Sequence, residues 1–468
     1  MKTAVLILLL IILISVIVVL ISENRHPVKT AAWIVVLVCL PILGLVLYFF
    51  FGKDKSRKRL ASNYQVAALK KRTADNYSEN IVHDLPDEHR EVITQLWTTN
   101  RAYPLSGNSL KTYIEFDKMF DDLMTDIENA TDHIHFQFFK FENDSYGHRI
   151  AELLIRKAQE GVDVRVQYDD AVNLTRKCFF RWMAKGGVKV QPFLRIILPF
   201  ISSNANYRNH RKVVVIDGKI GYTGGMNIAE RYATGIKRGI WRDTHLRIEG
   251  PAVSELQTSF LIDWLFSSRE FLCSDRYYPK LPAKGDKTVQ IATSGPMDEW
   301  RVIMQGFVQL FSNSHKYIYI QSPYFIPTGP IMMALKNAAL AGVDVRVMFP
   351  YHGDRGIIVP LASRSYVREA LSAGVKIGFY TGGYLHSKTI VIDDSFVTIG
   401  STNIDVRSFE QDFELNAFIY DRELSVKMRE TFEKDEMSTR YISAEEWDSR
   451  PRFEKFKESF ARLFSPLL

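Results

Sequence analysis

Cysteine is scarce in this chain: Cys39, Cys178 and Cys273 are the only three among 468 residues, and no two lie close together. That excludes a disulfide scaffold and a cysteine-based zinc site, and it fits a reducing compartment. Metal-ligand spacing is missing as well. No cluster of His, Cys, Asp and Glu is spaced to hold a metal, so the chain is expected to use no metal and no cofactor, and to be insensitive to EDTA. Charge is absent from two N-terminal stretches. Ala4 to Ile21 is apolar apart from Ser15, and Ala31 to Phe51 carries no charge. Each is close to the roughly 20 residues that span a bilayer. The intervening Glu23 to Thr30 is too short for a domain, so residues 1–52 are expected to form a transmembrane hairpin, with helices about 4–21 and 31–51. A cleaved signal peptide is disfavoured, because the first run has one preceding Lys and no small-x-small cleavage site.

Basic residues give the orientation. Lys53, Lys55, Arg57, Lys58 and Arg59 crowd the exit of the second run, whereas the short loop has only Arg25 and Lys29. The positive-inside rule then puts the rest of the chain in the cytoplasm. Residues 53–95 read as a basic linker or surface helix. The net charge of +7 and pI near 9 imply an anionic partner. Given the hairpin, an anionic membrane surface is preferred and no nucleic acid is expected.

One pattern occurs twice. His210-Arg211-Lys212-Val213-Val214-Val215-Ile216-Asp217 matches His386-Ser387-Lys388-Thr389-Ile390-Val391-Ile392-Asp393, both reading H-x-K-x-x-x-x-D. Gly224-Gly225-Met226-Asn227 and Gly400-Ser401-Thr402-Asn403 follow, each Asn 17 residues after its His. The β-branched runs predict buried strands. Alternation on a strand sends His210 and Lys212 to one side, and likewise His386 and Lys388. Asp217 and Asp393 are then expected to face away from the histidines and to fix the turn. The small pairs Gly224-Gly225 and Gly400-Ser401 allow close approach to a ligand, and Asn227 and Asn403 can donate amide hydrogens there. Two such units around a pseudo-twofold axis would gather two lysines, two asparagines and two imidazoles. That set suits a phosphoryl group: the cations hold its oxygens, one His attacks phosphorus and the other protonates the leaving oxygen.

The duplication extends upstream. Gly161 to Val166 matches Gly342 to Val347, each after a helical pattern (Ile150 to Gln159, Ile331 to Leu340) and an earlier apolar strand (Ile134 to Phe139, Tyr317 to Gln321). Alternating strands and helices predict an α/β fold: two lobes, each a mixed β-sheet flanked by helices, meeting at the paired motifs. The first lobe is placed at 96–290 (motif 204–231) and the second at 291–468 (motif 380–407). Phe193 to Ile201 is an apolar segment just before the first motif, open to reading as a lipid-contacting loop or a buried strand. Phe453, Phe456, Phe460, Leu463 and Phe464 recur at helical spacing. This is read as a C-terminal helix docked on its own domain rather than a membrane anchor.

The doubled H-x-K-x-x-x-x-D with its downstream Gly and Asn resembles the phospholipase D superfamily. The hairpin, Trp241-Arg242-Asp243-Thr244-His245, Gln321-Ser322-Pro323-Tyr324-Phe325, Asp405-Val406-Arg407-Ser408-Phe409 and the closing Ser465-Pro466-Leu467-Leu468 narrow the resemblance to bacterial cardiolipin synthases. That resemblance implies two phospholipase D-like lobes and a multi-pass enzyme of the bacterial cell membrane with a cytoplasmic catalytic domain. It implies that two phosphatidylglycerol molecules give cardiolipin and glycerol through a phosphohistidine. The catalytic set would be His210, Lys212, Asp217, His386, Lys388 and Asp393, with His210 as nucleophile and His386 as acid-base. Asn227, Asn403 and Ser401 would support the phosphate, and Asp243 and Glu414 would orient the imidazoles. A phospholipase D-type hydrolase would use the same residues. One departure stands out: Gln411-Asp412 precedes Phe413-Glu414 where family members often carry Leu-Asn.

Overall fold

The computed structural model describes residues 2–22, 27–48, 63–195, 207–236, 239–354 and 356–468, leaving aside the side chains of 2–9, 28, 29 and 63. The chain divides into two compact units. The first contains helices Lys2–Ser22, Pro27–Cys39 and Pro41–Leu47. Within it Leu20, Leu37 and Tyr48 are buried against Leu13, Val16, Ile17, Trp33 and Leu45. The apolar run expected as one helix over 31–51 is split at Leu40. Pro41 has no N–H to bond the preceding turn, so the helix stops and restarts. Gly44 fits close beneath, where a Cβ would lie 2.8 Å from the Val36 carbonyl oxygen. Among the fully described residues, no helix is long and apolar enough to cross a membrane. The basic cluster Lys53 to Arg59 and the segment 196–201 lie outside the described residues.

The second unit is built on one sheet of sixteen strands. In the first lobe Val213–Ile216 lies antiparallel to His133–Phe138. Asp163–Asp169 and Lys189–Phe193 continue outward in parallel. Inward follow Ile220–Gly224, His245–Glu249 and Leu105–Tyr113, all antiparallel. The second lobe repeats this order. Thr389–Ile392 lies against Tyr317–Gln321, with Asp344–Pro350 and Lys376–Tyr380 parallel beyond. Phe396–Gly400, Asp412–Tyr420 and Lys287–Ser294 follow inward. The two edge strands Leu105–Tyr113 and Lys287–Ser294 pair with each other, so the lobes share a continuous sheet and not only a contact at the motifs.

Burial explains the elements. All four residues of Val213–Ile216 and of Thr389–Ile392 are buried, as β-branched strands covered on both faces should be. On one face Ser145–Gln159 and Gly329–Leu340 cover the first and second lobes respectively. On the other, Val253–Ser268 and Arg422–Glu436 share a core that joins strands of both lobes. Asp144 caps the first of these helices, accepting from the Gly147 amide at 3.0 Å. The division expected at 290/291 falls inside the strand Lys287–Ser294. Likewise Arg90–Asn100, expected to lie mainly in the linker, is a helix whose Val92, Ile93 and Leu96 belong to the second lobe's core.

Candidate active site

Each motif histidine is fastened to the lobe it does not come from. The short strand Arg208–Asn209 runs parallel to the start of Asp412–Tyr420. The His210 amide then donates to the Phe413 carbonyl at 2.9 Å. In the mirror arrangement Tyr384–Leu385 runs parallel to Trp241–Arg242, and the His386 amide donates to the Arg242 carbonyl at 2.8 Å. The next residue after each of those carbonyls is an acid. Glu414 Oε1 lies 3.0 Å from His210 Nδ1, and Asp243 Oδ2 lies 2.6 Å from His386 Nδ1. Both carboxylates are fully buried. The carboxylates expected beside the histidines are therefore there, but exchanged between lobes, which the repeat spacing does not reveal.

The neighbours of these acids differ. The Ser401 hydroxyl donates to Glu414 and accepts from the Leu415 amide at 3.0 Å, so it braces the carboxylate. In the first lobe Gly225 takes that place. A Cβ on Gly225 would lie 2.0 Å from Asp243 Oδ1. The shorter acid leaves no room for a side chain beneath it.

Lys212 Nζ donates to the His210 carbonyl at 2.6 Å, and Lys388 Nζ donates to the His386 carbonyl. Lys388 Nζ also sits 2.9 Å from His386 Nδ1. Burial drives Lys212 down to about 7, aided by Lys388, and drives Lys388 down to about 8. Burial lowers His210 to about 4, with Lys212 next in effect and Glu414 opposing. His386 is pushed well below the ordinary imidazole value by burial, then by Lys388, Lys212 and His210. These repulsions run between lobes, so the four groups occupy one electrostatic site. Burial pushes Glu414 up, but His210 and Lys212 hold it below the usual carboxylate value. Asp243 stays raised by its burial, against the pull of Lys388. A neutral imidazole held at Nδ1 by an acceptor carries its lone pair on Nε2.

The remaining expected residues divide. Asn227 Nδ2 donates to the Tyr232 hydroxyl at 2.8 Å, and its Oδ1 accepts from the Lys140 amide at 3.1 Å. Asn403 Nδ2 donates to Asp405 at 3.1 Å. Each amide nitrogen has two hydrogens, so one on each is left for a ligand. Asp217 and Asp393, expected to face away from the histidines although the resemblance counts them with the catalytic set, bond elsewhere. Asp217 accepts from the amides of Thr131, Asp132 and His133 at 3.0, 2.8 and 3.0 Å. Asp393 accepts from those of His315, Lys316 and Tyr317 at 2.6, 2.9 and 2.7 Å. Both stand in the left-handed region, at φ 53° and 54°, at the far end of the motif strand. Four strand residues separate them from the lysine, so they organise a turn and a neighbouring strand rather than the reacting centre.

Sequence reasoning missed the aromatic walls. Trp241 lies 4.8 Å from the His386 ring, and Phe139 stands edge-on to His210 at 4.8 Å. The Tyr232 hydroxyl is 3.4 Å from His386 Nδ1. Trp241 was within reach, being two residues from Asp243; Tyr232 and Phe139 had no local signal. A cavity of 590 Å³ lies in the second lobe, lined by Tyr351, Phe379, Tyr384, Trp447, Arg450 and Glu454 among others. Its wall includes Tyr384, whose ring is 6.1 Å from that of His386. The Gln411-Asp412 departure has local partners. Gln411 Nε2 donates to the Pro466 carbonyl at 2.7 Å, and Asp412 sits 3.3 Å from Arg407 and in register with Arg208.

Comparison with known proteins agrees with this geometry. Residues 123–264 and 307–436 match the family described as cardiolipin synthase, PLD-like domain, and residues 7–53 match a phospholipase D-nuclease N-terminal segment. A cardiolipin synthase of Listeria monocytogenes serotype 4a is 38% identical over 458 residues, covering 95% of each chain. One from Staphylococcus aureus strain Mu50 is 40% identical over 468 residues, covering 96% of this chain and 93% of the relative. The solved phosphatidylserine synthase of Haemophilus influenzae shares the fold, with a TM-score of 0.61 at 14% identity, covering 81% of this chain and all of its own. With its mixed α/β sheet, two lobes and crossed His–carboxylate pairs, the chain belongs to the cardiolipin synthase family of phospholipase D-like proteins.

Proposed function

We propose that this protein is a membrane-bound phosphatidyltransferase that converts two phosphatidylglycerol molecules into cardiolipin and glycerol. The observation that carries the reading is the crossed pair of neutral imidazoles, His210 on Glu414 and His386 on Asp243, with Lys212 and Lys388 between them. Each carboxylate holds Nδ1, which commits Nε2 to the reacting phosphate. His386 takes a proton at Nε2 as the anionic phosphate binds; His210 Nε2 then attacks phosphorus, the bond from phosphorus to the glycerol oxygen breaks, and His386 gives that oxygen the proton. His386, now neutral, takes the proton of a hydroxyl on the second phosphatidylglycerol. That oxygen attacks phosphorus and the N–P bond breaks, freeing His210. Covalent catalysis divides one hard displacement into two easier ones. The anionic phosphate raises His386 towards protonation, as an opposite charge does, and the lysines with Asn227 and Asn403 stabilise its oxygens.

Lipid supply supports synthesis over hydrolysis. The helix Lys2–Ser22 has 21 residues, and at ~1.5 Å per residue it matches the ~30 Å hydrocarbon core. A proline break such as that at Pro41 is tolerated in membrane helices when neighbours pack over it. We therefore place residues 1–52 in the cell membrane with the lobes on the cytoplasmic side, where the membrane surface supplies acceptor lipid at high local concentration.

The deciding experiment gives purified, detergent-solubilised protein phosphatidylglycerol alone, with products read by mass spectrometry. Cardiolipin and glycerol in equal amounts are expected. Phosphatidic acid with no cardiolipin would make the protein a hydrolase of the same fold.

A further inference from the structure

The C-terminal helix Arg452–Arg462 is turned the opposite way from an ordinary surface helix. Its buried residues are Glu458 and Ala461, and buried Ser465 continues that stripe a turn later. The stripe is held by charge. Glu458 accepts both guanidinium nitrogens of Arg450, at 2.7 and 2.8 Å, and Arg364 Nε lies 3.1 Å from Glu458 Oε1. Arg462 donates to the Ser365 carbonyl at 3.4 Å and stacks 4.1 Å over the Tyr366 ring. The opposite stripe is apolar and bare. Phe453 and Phe456 are each 66% exposed, Phe460 55%, Leu463 73% and Leu467 50%. Docking on the catalytic unit is real, but it uses the polar face, so the expectation that the phenylalanines pack inward is corrected.

Leaving so many large apolar side chains half or more exposed to water forgoes the stabilisation that burying each would bring. The ion pairs of Glu458, together with Ala461 in the second lobe's core, hold the helix in place, and its outer face is free to enter another phase. Three observations select lipid as that phase. First, Arg452, Lys455 and Lys457 flank the stripe against Glu454, while Glu458 and Arg462 are paired within the protein. The Lys457 ammonium lies 4.4 Å over the Phe453 ring, an arrangement that keeps the charge at headgroup level while the ring goes deeper. Second, Ile357 and Ile358 are exposed at the start of Ile358–Ser365, the helix that supplies Arg364 to Glu458. Third, the 590 Å³ cavity is lined by Glu454 of this helix and Arg450 just before it, and at another part of its wall by Tyr384 beside His386, so the helix and the histidine site border the same cavity.

We propose that Arg452–Arg462 is an interfacial helix that seats the catalytic lobes on an anionic bilayer. Phe453, Phe456, Phe460 and Leu463 enter the boundary between headgroups and acyl chains, and the flanking cations meet lipid phosphates. This is a second attachment, within the catalytic unit and separate from the N-terminal helices. Its purpose rests on the phospholipid-transfer reading; its geometry does not.

The test uses the full-length chain with Cys39, Cys178 and Cys273 replaced by serine and a nitroxide on Phe456→Cys, in vesicles of phosphatidylcholine and phosphatidylglycerol. Oxygen is expected to relax the label more than a water-soluble nickel chelate does, with the difference shrinking in vesicles of phosphatidylcholine alone. Greater access for the chelate would place the helix in water and overturn the proposal. Dipolar broadening between labels would make the face a contact between two copies of the chain, with the same consequence. A companion variant, Phe453→Ser/Phe456→Ser/Phe460→Ser, should keep its melting temperature because the three side chains are exposed. Its KM for phosphatidylglycerol in vesicles should rise about tenfold, while its rate on water-soluble dihexanoyl phosphatidylglycerol stays at the parent value. Equal loss on both substrates would mean that the helix acts on the site itself and not on the bilayer. If no form of the protein made cardiolipin, the label's depth would still be readable, so the two readings fail separately.

Discussion

Glu414, at the start of a second-lobe strand, holds the ring of His210 from the first lobe at 3.0 Å, and Asp243 of the first lobe holds His386 of the second at 2.6 Å. Neither half can orient its own histidine. The site is therefore a property of the assembled pair of lobes, and a change in either carboxylate is felt by the other lobe's motif.

Replacing Glu414 by Gln keeps the shape but removes the charge, and the same holds for Asp243→Asn. Each amide can present N–H to Nδ1 and turn the imidazole to the wrong tautomer. A fall in kcat of about a hundredfold or more is expected for either, with KM little changed, by analogy with the Ser-His-Asp triad. Steady-state kinetics on phosphatidylglycerol micelles checks this. A loss of threefold or less, roughly the noise of such comparisons, would show that the carboxylates do not orient the rings.

The two histidines should part in a trapping experiment. His386→Ala retains the proposed nucleophile but loses the acid-base of both half-reactions, so it should label slowly yet retain what it forms: on long incubation a phosphoramidate, stable in alkali and labile in acid, should build up on His210. His210→Ala should show none. Alkaline quench with labelled phosphatidylglycerol followed by peptide mapping reads the outcome, and a label on His386 would reverse the assignment.

Binding of a phosphate mimic should take up protons at pH 8. Lys212, lowered to about 7, is then mainly neutral, and Lys388, lowered to about 8, is about half charged. An anion between them favours the charged forms, so protons enter with it. Calorimetry of vanadate binding in two buffers of different ionisation enthalpy measures the number. Uptake through the lysines should vanish near pH 6, where both are already charged, and net release at pH 8 would contradict the cause given for the shifts.

Asp217→Asn tests whether the motif aspartates belong to the catalytic set. Asparagine tolerates the left-handed backbone but loses the charge that receives three backbone amides. Stability should drop by about 1–3 kcal/mol, while kcat of the folded fraction stays within about threefold. The Asp217 carboxyl is pushed up by burial, but the Thr131, Asp132 and His133 amides outweigh this and hold it low. Its contribution is therefore present above the unfolded carboxylate pKa and lost as pH falls through the folded one. The stability gap between parent and variant should narrow in acid, as read by urea unfolding at several pH values.

Gly225→Ala should be far more damaging than one methyl group suggests. Its Cβ would meet Asp243 Oδ1 at 2.0 Å, and the carboxylate can yield only by releasing His386. Activity should fall about a hundredfold with a modest change in melting temperature. Ser401→Ala, at the equivalent place under the longer Glu414, should cost only about tenfold, as one lost hydrogen bond to a charged group implies.

Much of this was legible from local rules. Period-two alternation and β-branched runs mark Val213–Ile216 and Thr389–Ile392 as strands. The doubled spacing of His, Lys and Asn identifies two equivalent units and a phosphate-sized cluster of donors, because strand geometry turns sequence spacing directly into direction. The same reasoning places Asp217 and Asp393 away from the histidines. Pairing between lobes lies beyond local rules. Nothing within a repeat tells His210 to seek Glu414 rather than Asp243; the parallel pairing of Arg208–Asn209 with Asp412–Phe413 decides it. Nor does helical spacing say which face of Arg452–Arg462 turns inward. Amphipathicity determines that the phenylalanines share a stripe, but Arg364 and Arg450 fix Glu458 to the protein and leave that stripe outside, because a buried bidentate ion pair has one geometry and apolar burial has many.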